Sequence, residues 1–304
     1  MTPRILIAAC LALALTLPAA AQGLLDPKPR IAVVTAFEPE LRQTLAQVQV
    51  EAAHTVNGVT FTTGTLGGRS VVVFMSGVSM VNAAMTTQLA LDRFTVTRIV
   101  VSGIAGGVDP ALRIGDVVVA ERWGQYLEAV FARETAEGLR PPSFAKREFP
   151  PFGMAFPQPV RVRSAGAPQG ESRFWFEADP DLVAAARALA GAVPLDRCTA
   201  SGPCLQNAPR LVVGGNGVSG SAFVDNAAFR DYTHRTFQAT VLDMETAAIA
   251  MVAHANGRPF IAFRSLSDLA GGGPGENEMK TFLDLAADNS ARVVVAFLRA
   301  LGRE

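Results

Sequence analysis

The chain has 304 residues, 49 % of them hydrophobic, and its 27 basic and 27 acidic side chains leave no net charge. That length and apolar content suffice to bury one large core. The charge balance, with no basic run, excludes a reader of nucleic acid or of an anionic membrane surface. His54, His234 and His254 are too scattered to join cysteines in a structural zinc site, so no metal is expected.

At the N-terminus, Arg4, the apolar run Ile5 to Leu17 and the small-residue stretch Pro18-Ala19-Ala20-Ala21 describe a secretory signal peptide over residues 1–21. Ile7-Ala8-Ala9-Cys10 has the form of a lipid-attachment box, but the apolar run before Cys10 is too short and continues beyond it. The mature chain, 22–304, is expected to be one periplasmic or secreted domain that is free of the membrane. Cys198 and Cys204 then remain as its only cysteines, and in an oxidising compartment they are expected to form a disulfide.

Residues 22–30, with Pro27 and Pro29, read as an irregular lead to a short buried strand over 31–35. Glu38-Pro39-Glu40 starts a helix with proline in its first turn, which places Glu40 near the end of that strand. Asn57-Gly58 and Gly67-Gly68 mark two hairpins, the second leading into a β-rich run over 70–75. A helix is expected over 79–94 and a buried strand over 98–102. Gly103-Ile104-Ala105-Gly106-Gly107 reads as that strand's exit loop; it lacks the spacing of a dinucleotide fingerprint and the lysine of a P-loop. A further strand spans about 112–120.

From about 136 to 210 the pattern breaks down. Seven prolines between 141 and 168 accompany Phe144, Phe149, Phe152 and Phe156, which indicates an apolar loop region. Asp179-Pro180 starts a helix to about 192, residues 211–214 return to the sheet, and 215–225 form a Gly/Ser-rich loop containing Phe223. No internal repeat is visible. Strands alternating with helices, with antiparallel excursions, imply an α/β fold in three layers, a mixed central sheet with helices on both faces.

The stretch Leu242 to Gly272 is the most informative. A compact helix through Ala247 to Val252 ends at Asn256-Gly257, and a buried strand over 259–266 opens into the Gly/Pro-rich loop 271–275. Glu245, Arg264 and Asp268 thus stand at element ends, where α/β sheets bind ligands. Taken singly, Glu245 is a first-turn acid, Glu40 an exposed helix acid, Ser76 a helix cap, Phe223 core and Arg264 a surface charge.

Taken together, the order of segments resembles the nucleoside phosphorylase and nucleosidase superfamily, and within it the methylthioadenosine/S-adenosylhomocysteine nucleosidases. The matching segments are 31–40 (IAVVTAFEPE), Ser76-Gly77-Val78, Ser102 to Gly107, Gly115 to Val119, Gly220 to Val224, Met244 to Ala250, and Arg264 to Asp268. They span most of the mature chain outside the 136–210 insertion, which resembles longer secreted members, including plant storage-type relatives.

The resemblance implies a role for each residue. Asp268 is the acid that protonates the leaving purine at N7, and Glu40 the base that activates water. Glu245 binds ribose hydroxyls, Met244 walls the sugar, Phe223 stacks on the base and Val224 offers main-chain hydrogen bonds. Ser76, Arg264 and Ser267 belong to the surrounding polar set. Phe37 stands where a methionine is common beside the 5′ group, which leaves the 5′ preference open.

A carboxylate at Glu40 repels phosphate and accepts a proton from water. Hydrolysis of the N-ribosyl bond of a purine nucleoside is therefore expected, without cofactor, and the resemblance implies a homodimer. A phosphate-dependent phosphorylase and a nucleoside-binding or storage protein without turnover remain as alternatives.

Overall fold

The structure, a computed structural model, describes residues 23–302. The signal peptide expected over 1–21 lies outside the described residues.

The first strand, β1 (Asp26–Thr35), begins five residues before the expected Ile31. Pro27 and Pro29 are tolerated because they fall where the ladder to the neighbouring strand is irregular, between the pairs Asp26–Phe94 and Arg30–Val96, so no bond is asked of their missing N–H. The added length is held by Arg30, whose buried guanidinium reaches Glu51 at 2.7 Å and also pairs with Asp26. Helix α1 (Glu38–Leu45) starts at the expected place, with proline in its first turn. β2 (Gln49–Val56), β3 (Val59–Leu66) and β4 (Arg69–Met75) form the two expected hairpins. In the first, Asn57 and Gly58 have φ of 50° and 79°, as a tight hairpin with two positive-φ residues requires.

After α2 (Met80–Arg93), strand β5 (Phe94–Gly107) corrects the reading of 103–107 as an exit loop. β5 pairs with β1 over its first half and then runs on through the glycines. These permit close packing more than they turn the chain: a Cβ on Gly103 would overlap both Arg264 and Glu40. Of the strand expected over 112–120 only β6 (Val117–Val119) is extended.

The 136–210 region is more ordered than the proline count suggests. β7 (Arg122–Gln125) and β8 (Ala129–Phe131) precede it. β9 (Arg133–Thr135) and β10 (Gly138–Arg140) form a hairpin, and β11 (Ala155–Pro157) pairs with β8. β12 (Val160–Ser164) and β13 (Ala167–Arg173) form another hairpin, and β14 (Trp175–Glu177) joins the main sheet beside β7. Pro157 ends β11 and Pro168 stands second in β13, and most of these strands are three residues long, too short for a periodicity search. Helix α3 (Pro180–Arg187) is capped by Asp179, whose side chain accepts from the Asp181 and Leu182 N–H groups. Cys198 and Cys204 are joined by a disulfide, S–S 2.04 Å.

β15 (Leu211–Val213) is where expected, but β16 (Asn216–Ser219) occupies part of the supposed Gly/Ser loop. Helix α4 (Ala227–Phe237) and strand β17 (Ala239–Asp243) escaped the sequence reading. Their signals are present: Asn226 caps α4 by accepting from the Phe229 N–H, and Phe229, Thr233 and Phe237 recur every fourth residue. α5 (Thr246–Ala255), β18 (Phe260–Asp268) and α6 (Met279–Ala300) complete the chain.

Among the described residues twelve strands form one mixed sheet, ordered β14-β7-β16-β17-β5-β1-β4-β3-β2, with β18, β6 and β15 branching from β5. Helices α1 and α6 cover one face and α2 and α5 the other, the expected three layers. β5 organises the site: its second half pairs parallel with β18 up to Gly106–Asp268, and antiparallel with β17 at Gly106–Leu242. The carboxyl ends of β1, β5, β17 and β18 therefore converge on one side of the molecule. Among the described residues no helix is long and apolar enough to cross a membrane.

Candidate active site

At that convergence lies a cavity of about 240 Å³, lined by Phe37, Glu40, Phe223, Val224, Met244, Glu245, Ser267 and Asp268 among others. Eight of the ten expected site residues thus share one cavity. Its remaining walls are largely apolar, from Val78, Ile104, Leu242 and Met279, so its carboxylates meet little water.

Glu40 is 2 % exposed, against the exposure that an isolated helix acid would show. Oε2 accepts from the Ala36 N–H at 2.6 Å and Oε1 from the Ile104 N–H at 2.8 Å, so the ends of β1 and β5 aim the carboxylate. Burial pushes its pKa up, opposed by Arg264 and by these backbone donors.

Asp268 ends β18. Its Oδ1 accepts from the Ala270 N–H at 2.8 Å and from Asn277 Nδ2 at 3.4 Å, while Ser267 Oγ donates to Oδ2 at 2.9 Å. Burial raises its pKa although all three hydrogen bonds favour the anion. A carboxyl so placed retains a proton further toward neutrality than a solvated aspartate does, which is what a general acid needs.

Glu245, 5 % exposed, stands at the N-cap of α5. Its Oε1 accepts from the Ser79 N–H at 2.8 Å, and Oε2 lies 3.4 Å from Arg264 Nη2. Burial, helped by the Asp243 charge and opposed by Arg264, raises its pKa to about 7. Ser79 and Ala270, two of the four described non-glycine residues with positive φ, both direct their N–H groups at site carboxylates. Local backbone strain is thus spent on holding functional groups.

Two expected residues do not reach the cavity wall. Ser76 is buried and donates to the Gly77 carbonyl at 3.0 Å. Arg264 is wholly buried beneath the floor, not a strand-end surface charge. Its Nε meets Asp243 Oδ2 at 2.7 Å, Nη2 meets Glu245 at 3.4 Å and Nη1 lies 3.7 Å from Glu40. Burial works against its charge, and the three carboxylates override that, so the guanidinium stays protonated. Phe223 is 55 % exposed at the cavity mouth, not core, as befits a side chain that meets an incoming ring.

Asp243 was missed, though it sits in the most informative stretch, two residues before Glu245. It lines the cavity floor and accepts from the Ser219 and Thr246 hydroxyls and from Arg264. Three carboxyl groups around one arginine leave no positive charge to spare, a poor seat for a phosphate dianion and a good one for groups that exchange protons near neutral pH.

The phosphorylase superfamily model matches residues 30–299. The 5′-methylthioadenosine/S-adenosylhomocysteine nucleosidase of Bacillus thuringiensis (strain Al Hakam) is 31 % identical over 276 residues, covering 90 % of this chain and 99 % of that protein. Among solved structures, the nucleosidase of the same name from Colwellia psychrerythraea 34H, in complex with adenine, superposes with a TM-score of 0.67 at 27 % identity, covering 90 % of this chain and 95 % of that one. The futalosine hydrolase of Helicobacter pylori strain 26695 shares the fold, with a TM-score of 0.68 at 22 % identity over 90 % of this chain and 98 % of that one. The chain belongs to the phosphorylase superfamily, and its matched relatives there include 5′-methylthioadenosine/S-adenosylhomocysteine nucleosidases.

Proposed function

We propose that this chain hydrolyses the N-ribosyl bond of purine nucleosides of the 5′-methylthioadenosine/S-adenosylhomocysteine type. The observation that carries the reading is Glu40 and Asp268, both buried with raised pKa values, on the walls of one cavity. The names of the matched nucleosidases support it.

In this reading Asp268 donates a proton to N7 as the C1′–N9 bond breaks and the bonding electrons pass to the purine. The ribose becomes oxocarbenium-like, and a water held by Glu40 adds to C1′ as its proton passes to that carboxylate. Glu245 hydrogen-bonds the ribose hydroxyls, Met244 walls the sugar, Phe223 stacks on the base, Val224 presents main-chain groups to it, and Phe37 faces the 5′ substituent. Arg264, engaged by three carboxylates, has little charge left for phosphate, which favours water as the nucleophile.

The protein works as an exported homodimer. An exposed apolar strip supports the dimer: Val81 (77 % exposed) and Met85 (61 %) on α2, next to Val78 at the cavity. The signal-peptide pattern in the sequence of residues 1–21 and the exposed Cys198–Cys204 disulfide support export.

The test is a panel of methylthioadenosine, S-adenosylhomocysteine, adenosine, inosine and uridine, each with and without phosphate, with products resolved by chromatography. Free base and free sugar from the adenine nucleosides without phosphate are expected. Strictly phosphate-dependent release of a ribose 1-phosphate would establish the phosphorylase alternative, and tight binding without any release the storage alternative.

A further inference from the structure

Among the described residues Arg264 is the cation set among the buried carboxylates of the site, and its three acidic neighbours do not share it equally. Asp243 holds it at 2.7 Å through Nε, against 3.4 Å for Glu245 and 3.7 Å for Glu40 through the terminal nitrogens. Asp243 is itself immobilised. The Glu245 and Thr246 N–H groups donate to Oδ1 at 3.3 and 3.2 Å, the Ser219 hydroxyl donates to Oδ1 and the Thr246 hydroxyl to Oδ2.

The directions of these bonds are fixed by their other partners. Ser219 Oγ accepts from the Ala247 N–H at 2.8 Å, which leaves its hydrogen for Asp243. Thr246 Oγ1 accepts from Arg264 Nε at 2.9 Å and likewise spends its own hydrogen on Asp243. With donors on both oxygens, Asp243 is an acceptor with no proton to give.

We propose that Asp243 is a positioning residue: as the counter-ion nearest to Nε, whose one hydrogen goes to Thr246, it leaves the guanidinium's terminal nitrogens to Glu40 and Glu245. It also draws off positive charge that would otherwise lower the proton affinity of both glutamates. The proposal rests on the reading of Glu40 as the group that takes the proton of water. The groups facing this cluster are Glu40 from α1, Glu245 from the N-cap of α5, Arg264 from β18 and the buried Tyr126 that follows β7, whose pKa burial raises with help from the Asp243 charge. An arginine shared more evenly would lower the proton affinity of the base.

Two variants move the same observable in opposite directions. In Asp243→Asn the arginine's charge falls on Glu40 and Glu245, and the acid limb of the kcat/KM pH profile moves down by about one pH unit. In Thr246→Val, Asp243 and Arg264 each lose a hydroxyl partner and turn to one another, so the limb makes a smaller upward movement. A purely structural role for Asp243 would lower rates at every pH with the limb in place, and that result overturns the proposal, as does a limb that stays or falls in Thr246→Val. Thr246→Val keeps the side-chain shape and carries the test if Asp243→Asn does not fold. Infrared titration of the protonated carboxyl C=O band follows the same shifts without turnover. Failure of the functional reading, seen as no base release by the wild type, is thereby separated from failure of the clamp, seen as unshifted carboxyl titrations.

Discussion

Glu245→Gln is expected to make the protein less active and, at alkaline pH, more stable. Glu245 is 5 % exposed, and burial lifts its pKa from the ordinary 4.5 to about 7. A carboxyl whose folded pKa is raised retains a proton that the unfolded chain has already released, so its contribution is complete below about pH 4.5 and is lost as pH rises through about 7. Each tenfold change in proton affinity is worth about 1.4 kcal/mol, so the group withdraws on the order of 2.5 kcal/mol between pH 5 and pH 8. Glutamine has nearly the same shape, stays neutral throughout and escapes that loss. Urea denaturation of both proteins at pH 5 and pH 8 measures it. The free-energy difference, variant minus wild type, should rise by about 2 kcal/mol across that interval. Parallel stability curves, or a variant that loses ground as pH rises, would refute the reasoning that Glu245 is held protonated by its surroundings.

Three further outcomes are expected. Asp268→Asn removes general-acid help and should lower kcat on a purine nucleoside by about 10²- to 10⁴-fold, measured as base release by chromatography; near-unchanged turnover would dismiss the assigned role. Ser79→Gly relieves a residue at φ 83°, ψ 160° while keeping the N–H that Glu245 accepts from, and should gain about 1 kcal/mol in urea denaturation with activity retained; a loss of stability would show that the backbone there is unstrained. Gly103→Ala inserts a methyl group between Arg264 and Glu40, and should cost about 1–3 kcal/mol together with most of the activity; a variant as stable and active as the wild type would show that the site tolerates the extra carbon.

The three-layer fold was legible because its signals are local. Asn57-Gly58 announces a hairpin, Pro39 a helix start and Asn256-Gly257 a helix stop, and each acts over a few residues. The line of residues from Phe37 and Glu40 to Asp268 was legible only as a joint pattern, since each residue alone suggests an ordinary surface or core position. What escaped depends on partners remote in sequence. Gly103 to Gly107 looks like a loop until β17 and β18 pair with it, and Asp243 looks like a strand-end acid until Arg264 arrives from β18. The strands of 136–177 are mostly three residues long, so no period in the sequence reports their ladders. Taken alone, Arg264 suggests a surface charge, because nothing local tells of the carboxylates that make its complete burial tolerable.

The central claim is that Glu40 activates water in a site that does not need phosphate. Its most direct test is adenine release from methylthioadenosine at pH 7 in phosphate-free buffer, comparing the wild type with Glu40→Gln. The wild type is expected to release adenine with free methylthioribose, and the variant to lose about 10²-fold or more. No release until phosphate is added, or equal rates in the two proteins, would contradict it.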